Sequence, residues 1–129
     1  MKRVFVTGAS HGIGRAIVEA FTSVGDCVAF CDIDTLRGKE VEQATGARFF
    51  ALDVCNKAAL EEAVQSLLAE WGDIDIIVNN AGFGVFGKFD ETDLEKEISA
   101  FWEDIDILIP LRLLVMVVIR SFMYHSLVI

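Results

Sequence analysis

Thr7-Gly8-Ala9-Ser10-His11-Gly12-Ile13-Gly14 is the stretch that decides the fold. Before it lies a short β-branched and aromatic run, Arg3 to Thr7, with strand character. After it comes a helical period that sets Ile13, Ala16, Ile17, Ala20, Phe21 and Val24 on one face and stops at Gly25. A turn between strand and helix aims backbone N–H groups and the positive end of the helix at whatever lies above the strand. The glycines then have separate tasks. Gly8 permits the tight turn, Gly12 lets a ligand approach bare backbone, and Gly14 lets helix and strand pack closely. The spacing is GxxxGxG, not the GxGxxG of the general dinucleotide fingerprint.

Outward from the turn, the same alternation continues. Cys27 to Cys31 makes a second strand, apolar throughout as buried parallel strands are. A weaker helix runs from Thr35 to Ala44 and closes at Gly46, with Asp34 as its cap. Arg48 to Leu52 is a third strand. Asn56 caps a helix whose inner stripe is Leu60, Val64, Leu67, Leu68 and Trp71, and Asp75 to Asn79 is a fourth strand. Thr92-x-x-Glu95 forms a capping box before a helix with Leu94, Ile98, Phe101, Trp102 and Ile105 inside. Strands separated by helices of this length predict an α/β fold, a doubly wound parallel sheet with helices on both faces. Residues 1–129 are expected to form a single domain, with the sheet breaking off after about four strands.

The formal net charge of −9 excludes nucleic acid and anionic membranes as partners, because acidic side chains repel phosphate. The three cysteines, Cys27, Cys31 and Cys55, form no CxxC pair and have no histidine cluster beside them. They read as reduced thiols in a cytoplasmic protein, with no metal site. Ile105 to Ile119 is strongly apolar, but Asp106, Pro110 and Arg112 interrupt it and Arg120 closes it. A membrane span needs roughly 20 uninterrupted apolar residues, so this segment is expected to be buried helix.

With a strand before it, a helix after it and an acid downstream, Thr7-Gly8-Ala9-Ser10-His11-Gly12-Ile13-Gly14-Arg15-Ala16-Ile17 resembles the cofactor turn of the short-chain dehydrogenase/reductase family, whose fold is Rossmann-like. Asp32, at the end of the second strand and followed by Ile33, stands where a carboxylate accepts the hydroxyls of an adenosine ribose and repels a 2′-phosphate. The resemblance implies a basic residue just before the middle glycine in members that take the phosphorylated cofactor. His11 stands there instead. NAD(H) is therefore favoured over NADP(H). Asp53-Val54 matches the family's adenine-contacting pair, and Asn79-Asn80-Ala81-Gly82 matches its NNAG motif, extending the resemblance from Lys2 to about Leu114.

The resemblance also implies a reaction, hydride transfer between nicotinamide and an alcohol or carbonyl. The family uses an Asn, a Ser and the Tyr and Lys of YxxxK, a cation being needed to make a tyrosine useful as a base at neutral pH. Here Asp106 stands at the Asn position, no counterpart of the Ser follows, and Tyr124 is followed four residues later by Val128. The expectation is an NAD(H)-binding portion without the catalytic groups, inactive by itself. The alternative is a non-enzymatic dinucleotide-binding module or partner subunit. The apolar helix expected from Phe101 to about Met123 offers a self-association face, and Ile76-Ile77-Val78 would form an open sheet edge.

Overall fold

The computed structural model describes residues 1–80 and the strand at 115–118. Within them the chain runs β1 (Arg3–Thr7), α1 (Gly12–Ser23), β2 (Cys27–Asp32), α2 (Thr35–Thr45), β3 (Arg48–Ala51), α3 (Lys57–Trp71), β4 (Ile76–Asn79) and β5 (Val115–Val118). The strands form one parallel sheet in the order β3-β2-β1-β4-β5. The order reverses direction at β1, so the chain leaves β1 toward one edge and later returns to its other side. That reversal opens a crevice at the carboxyl ends of β1 and β4.

Alternation along the strands divides the core into two layers. Phe5, Ala29, Cys31 and Ile77 face α3 and pack against Leu60, Val64 and Leu67. Val4, Val6, Val28, Phe30 and Val78 face the other way, against Val18 of α1 and Val41 of α2. The aromatic residues of β3 follow the same rule. Phe50 meets Phe5 edge-on at 6.5 Å, and Phe49 lies 5.2 Å from Phe30 on the opposite layer. Burying a side chain such as Leu67 contributes about 1.5–3 kcal/mol.

Local signals set the helix limits. The Asp34 side chain accepts the Arg37 N–H at 3.1 Å to start α2, and Asn56 accepts the Ala59 N–H at 3.2 Å to start α3. Gly46 and Gly72 end these helices in left-handed conformations. At the amino end of the sheet, Arg3 ties β1 to the approach of β4. Its guanidinium donates to both Asp75 oxygens at 3.0 and 3.1 Å and to the Trp71 carbonyl, while its backbone N–H reaches Asp75 at 2.7 Å. The hydrogen bond and charge of Asp75 raise the Arg3 pKa above its ordinary value.

The doubly wound α/β architecture is as expected, with three corrections. The inner face of α1 is centred on Gly14 and Val18, flanked by half-buried Ile17 and Phe21. Ile13, Ala16, Ala20 and Val24, expected inside, are exposed. A fifth strand follows the expected four, and Val115–Val118 lies within the segment expected to be helix from Phe101 to Met123. It pairs with β4 from Ile76–Val115 to Asn79–Val118, so Ile76-Ile77-Val78 is not an open edge. Its valine-rich run, Val115-Met116-Val117-Val118, suits a strand. The capping box at Thr92 and the helical face from Leu94 to Ile105 lie outside the described residues. Among the described residues, no helix is long and apolar enough to cross a membrane.

Candidate functional site

The Gly-rich turn between β1 and α1 hangs from the end of β2. The Cys31 carbonyl accepts the N–H groups of Gly8 and Ala9 at 2.8 and 3.3 Å. Gly8 and Gly12 both have positive φ, 66° and 61°, which explains why glycine stands at these two positions. A Cβ on Gly12 would meet nothing within 4 Å among the described residues, so the backbone there is open on their side. Gly14 is the reverse case. A Cβ there would overlap the Gly8 carbonyl oxygen and the Asn80 side-chain amide, and would lie 2.8 Å from the Ala9 Cα.

Asp32 braces the turn from β2. One carboxylate oxygen accepts the Ser10 N–H at 3.1 Å, and the other accepts the Asp34 N–H at 3.0 Å. The residue is only 8% exposed, and Ser10 is fully buried. From the other side, β4 contributes the Asn pair. Thr7 Oγ1 donates to Asn79 Oδ1 at 3.3 Å and accepts the Asn80 N–H at 3.0 Å, while Asn80 Nδ2 donates to the Gly8 carbonyl at 3.1 Å. Thr7, Gly8, Ser10, Gly14, Asp32, Asn79 and Asn80 are thus brought into one cluster at the carboxyl ends of three strands.

The remaining residues singled out in the sequence lie around it. His11 is the exposed N-cap of α1, and its Nδ1 shares a hydrogen bond with Ser10 Oγ at 3.1 Å. Ile13 and Ile33 are exposed. Asp53 is exposed in the turn after β3, where its carboxylate accepts the Cys55 N–H at 2.9 Å. Val54 packs on the α3 layer of the core. Ala81, Gly82, Asp106 and Tyr124 lie outside the described residues. The supports supplied by the Cys31 carbonyl and by Asp32 to Ser10 were not read from the sequence. The first is a backbone group and carries no residue signal. The second needs β2 laid beside β1 before it can be seen.

Among the described residues no side chain caps the start of α1, in contrast with α2 and α3. Its first N–H groups and the positive end of its dipole are left to a ligand or solvent, beside backbone with no Cβ. That arrangement suits an anionic group such as a pyrophosphate, and the residues present fit a dinucleotide.

Comparison with known proteins gives the same direction. Residues 2–107 match the family model described as short chain dehydrogenase. L-fucose dehydrogenase from Mus musculus is 45% identical over 83 residues, covering 64% of this chain and 30% of that protein. The structure of 3-ketoacyl-(acyl-carrier-protein) reductase from Brucella melitensis complexed with NADH superposes with a TM-score of 0.61 at 30% identity, over 78% of this chain and 42% of that one. BdcA in complex with NADPH superposes with a TM-score of 0.56 at 34% identity, over 74% and 39%. The matched region spans about a third of the length of the curated relatives. With more than three quarters of its residues inside the family model and the family's glycine turn at the switch point of a parallel sheet, the chain belongs to the short chain dehydrogenases.

Proposed function

We propose that this chain is the NAD(H)-binding portion of an oxidoreductase acting on an alcohol or carbonyl substrate. The observation that carries the proposal is the start of α1 beside Gly12, where among the described residues no side chain caps the helix and none crowds the glycine backbone. The relatives complexed with NADH and NADPH support a nicotinamide dinucleotide, and the Asp32 carboxylate favours the unphosphorylated one. When bound, the nicotinamide would supply two-electron redox chemistry to the substrate.

The chain's own residues bind and orient. The N–H groups of Gly12 and Ile13, at the start of α1, would hold the pyrophosphate. Asp32, with Ile33 beside it, would meet the adenosine ribose, and Asp53-Val54 the adenine. Asn79-Asn80-Ala81-Gly82 would floor the nicotinamide side, with His11 at the rim. Asp106 stands at the position of the family's Asn without its amide donor, so no residue of this chain is assigned a catalytic role, and the chain is inactive by itself. Three cysteines without a CxxC pair, Cys27, Cys31 and Cys55, support a cytoplasmic setting. Self-association through the stretch from Phe101 to Met123 belongs to the same reading, with β5 inside it already paired to β4.

Titrating the purified chain with NADH and NADPH, followed by cofactor fluorescence, tests the proposal. Saturable binding with NADH at least tenfold tighter supports it. Equal affinities would remove the assignment of NAD(H), and no binding of either would remove the dinucleotide reading altogether.

A further inference from the structure

Asp32 has two backbone obligations, one buried and one part-buried, that a ribose-recognising carboxylate does not need. Its oxygens face two backbone donors, the Ser10 N–H at 3.1 Å and the Asp34 N–H at 3.0 Å. Ser10 lies in the middle of the phosphate turn and is fully buried, so no water replaces Asp32 there. Asp34 starts α2. One side chain therefore fixes the turn after β1 and the start of the helix after β2, two segments 22 residues or more apart in sequence.

We propose that Asp32 is a positioning residue for the phosphate turn, acting through the Ser10 N–H, in addition to any contact with a ribose. Both facing groups are donors, so only a side chain with two acceptor oxygens satisfies them. An isosteric Asn would turn its own NH2 toward one of the two N–H groups. Loss of the carboxylate releases the turn, and the grip on the pyrophosphate weakens with it. Selection against a 2′-phosphate and affinity for the diphosphate are then coupled at one residue. Replacing Asp32 to admit NADP(H) would cost affinity for both cofactors unless another acceptor is supplied to Ser10.

This inference rests on the dinucleotide reading for its ligand consequence, but its structural half is tested without a cofactor. In the full ligand-free chain, amide hydrogen exchange read by NMR should show Ser10 protected well beyond Gly12 and Ile13. An unprotected Ser10 amide would overturn the proposal whether or not any variant folds. In Asp32→Ala and Asp32→Asn, Ser10 exchange should speed up by roughly tenfold or more, the scale of one charge-assisted hydrogen bond. The Phe5 and Val6 amides, inside the sheet, should stay unchanged as a check on folding.

The ligand half uses nicotinamide mononucleotide, which has a phosphate but no adenosine ribose. Positioning predicts that Asp32→Ala weakens it by roughly the same tenfold factor as NADH. A ribose-only role predicts loss for NADH and none for the mononucleotide, and that result would overturn the proposal. If the native chain binds neither NADH nor the mononucleotide while Ser10 remains protected through Asp32, the dinucleotide reading fails and the positioning role stands.

Discussion

The hydroxyl of Thr7 accepts the backbone N–H of Asn80 at 3.0 Å, joining the ends of β1 and β4 across 73 positions of sequence. The same hydroxyl donates to Asn79 Oδ1, so one oxygen holds the Asn pair against the strand that feeds the turn. Thr7→Val keeps the shape and removes both bonds. Urea unfolding should show a loss of about 1–3 kcal/mol, the range for stripping a buried polar group of a partner. A change below about 0.3 kcal/mol would mean that the Val78 carbonyl, which also receives the Asn80 N–H, satisfies it alone.

The glycines of the turn should fail in different ways. Gly14→Ala places a methyl group against fixed backbone at Gly8 and Ala9, and overpacking there should cost about 1–3 kcal/mol. Gly12→Ala meets no neighbour among the described residues, and its cost is the strain of φ +61°, about 1–2 kcal/mol. Gly12→Asn should recover part of that loss, because Asn tolerates the left-handed region, while still crowding a ligand. Thermal unfolding of the three variants, paired with NADH titration, separates the effects. If Gly12→Asn matches the native chain in both, an open backbone at Gly12 is not needed.

Cys31 supplies a pH dependence. Burial pushes its thiol pKa up from 9.0 to about 12, so the folded chain keeps the proton after the unfolded chain has lost it. The stabilisation from the neutral thiol is fully present below pH 9. Above that, the unfolded state binds fewer protons and stability falls by roughly 1.4 kcal/mol per pH unit until pH 12. Urea midpoints measured between pH 8 and 11 should follow this slope, and Cys31→Ala should flatten it. In the native chain a thiol reagent at pH 8 should modify exposed Cys55 and leave Cys31 untouched until unfolding.

Val18 on α1 and Val24 just after it test the corrected helix face. Val18 is fully buried and Val24, at the C-cap, is 73% exposed. Val18→Ala should cost about 2 kcal/mol and Val24→Ala less than about 0.5 kcal/mol. The opposite order in denaturant unfolding would restore the face expected from periodicity.

Much of this fold can be read from single residues because the decisive signals are local. Gly8 and Gly12 mark backbone that other residues rarely adopt, and Asp34 and Asn56 cap the helices that follow them. The face of α1 was misplaced because Gly14, the point of closest approach to the sheet, counts as a gap in a hydrophobic pattern. Ile13 beside it counts as a strong apolar position, yet it points outward at the site. β5 is not legible in the sequence because a short apolar run inside a longer one carries no period to separate strand from helix. The buttresses from Asp32 and Asn80 depend on strand order, which no local window contains.

The ties at the two ends of the sheet differ in kind, and this gives solvent conditions unequal leverage over them. The amino end depends on the Arg3–Asp75 ion pair, both partners partly open to water, with the buried Asp73 nearby at 3.8 Å. At the carboxyl end, Thr7, Asn79, Asn80 and Gly8 are joined through neutral groups. Added salt therefore loosens the end away from the cofactor and leaves the Asn80–Gly8 side of the turn nearly unaffected. Surface charge at the far end can drift to suit a different ionic milieu while the geometry offered to the dinucleotide stays the same.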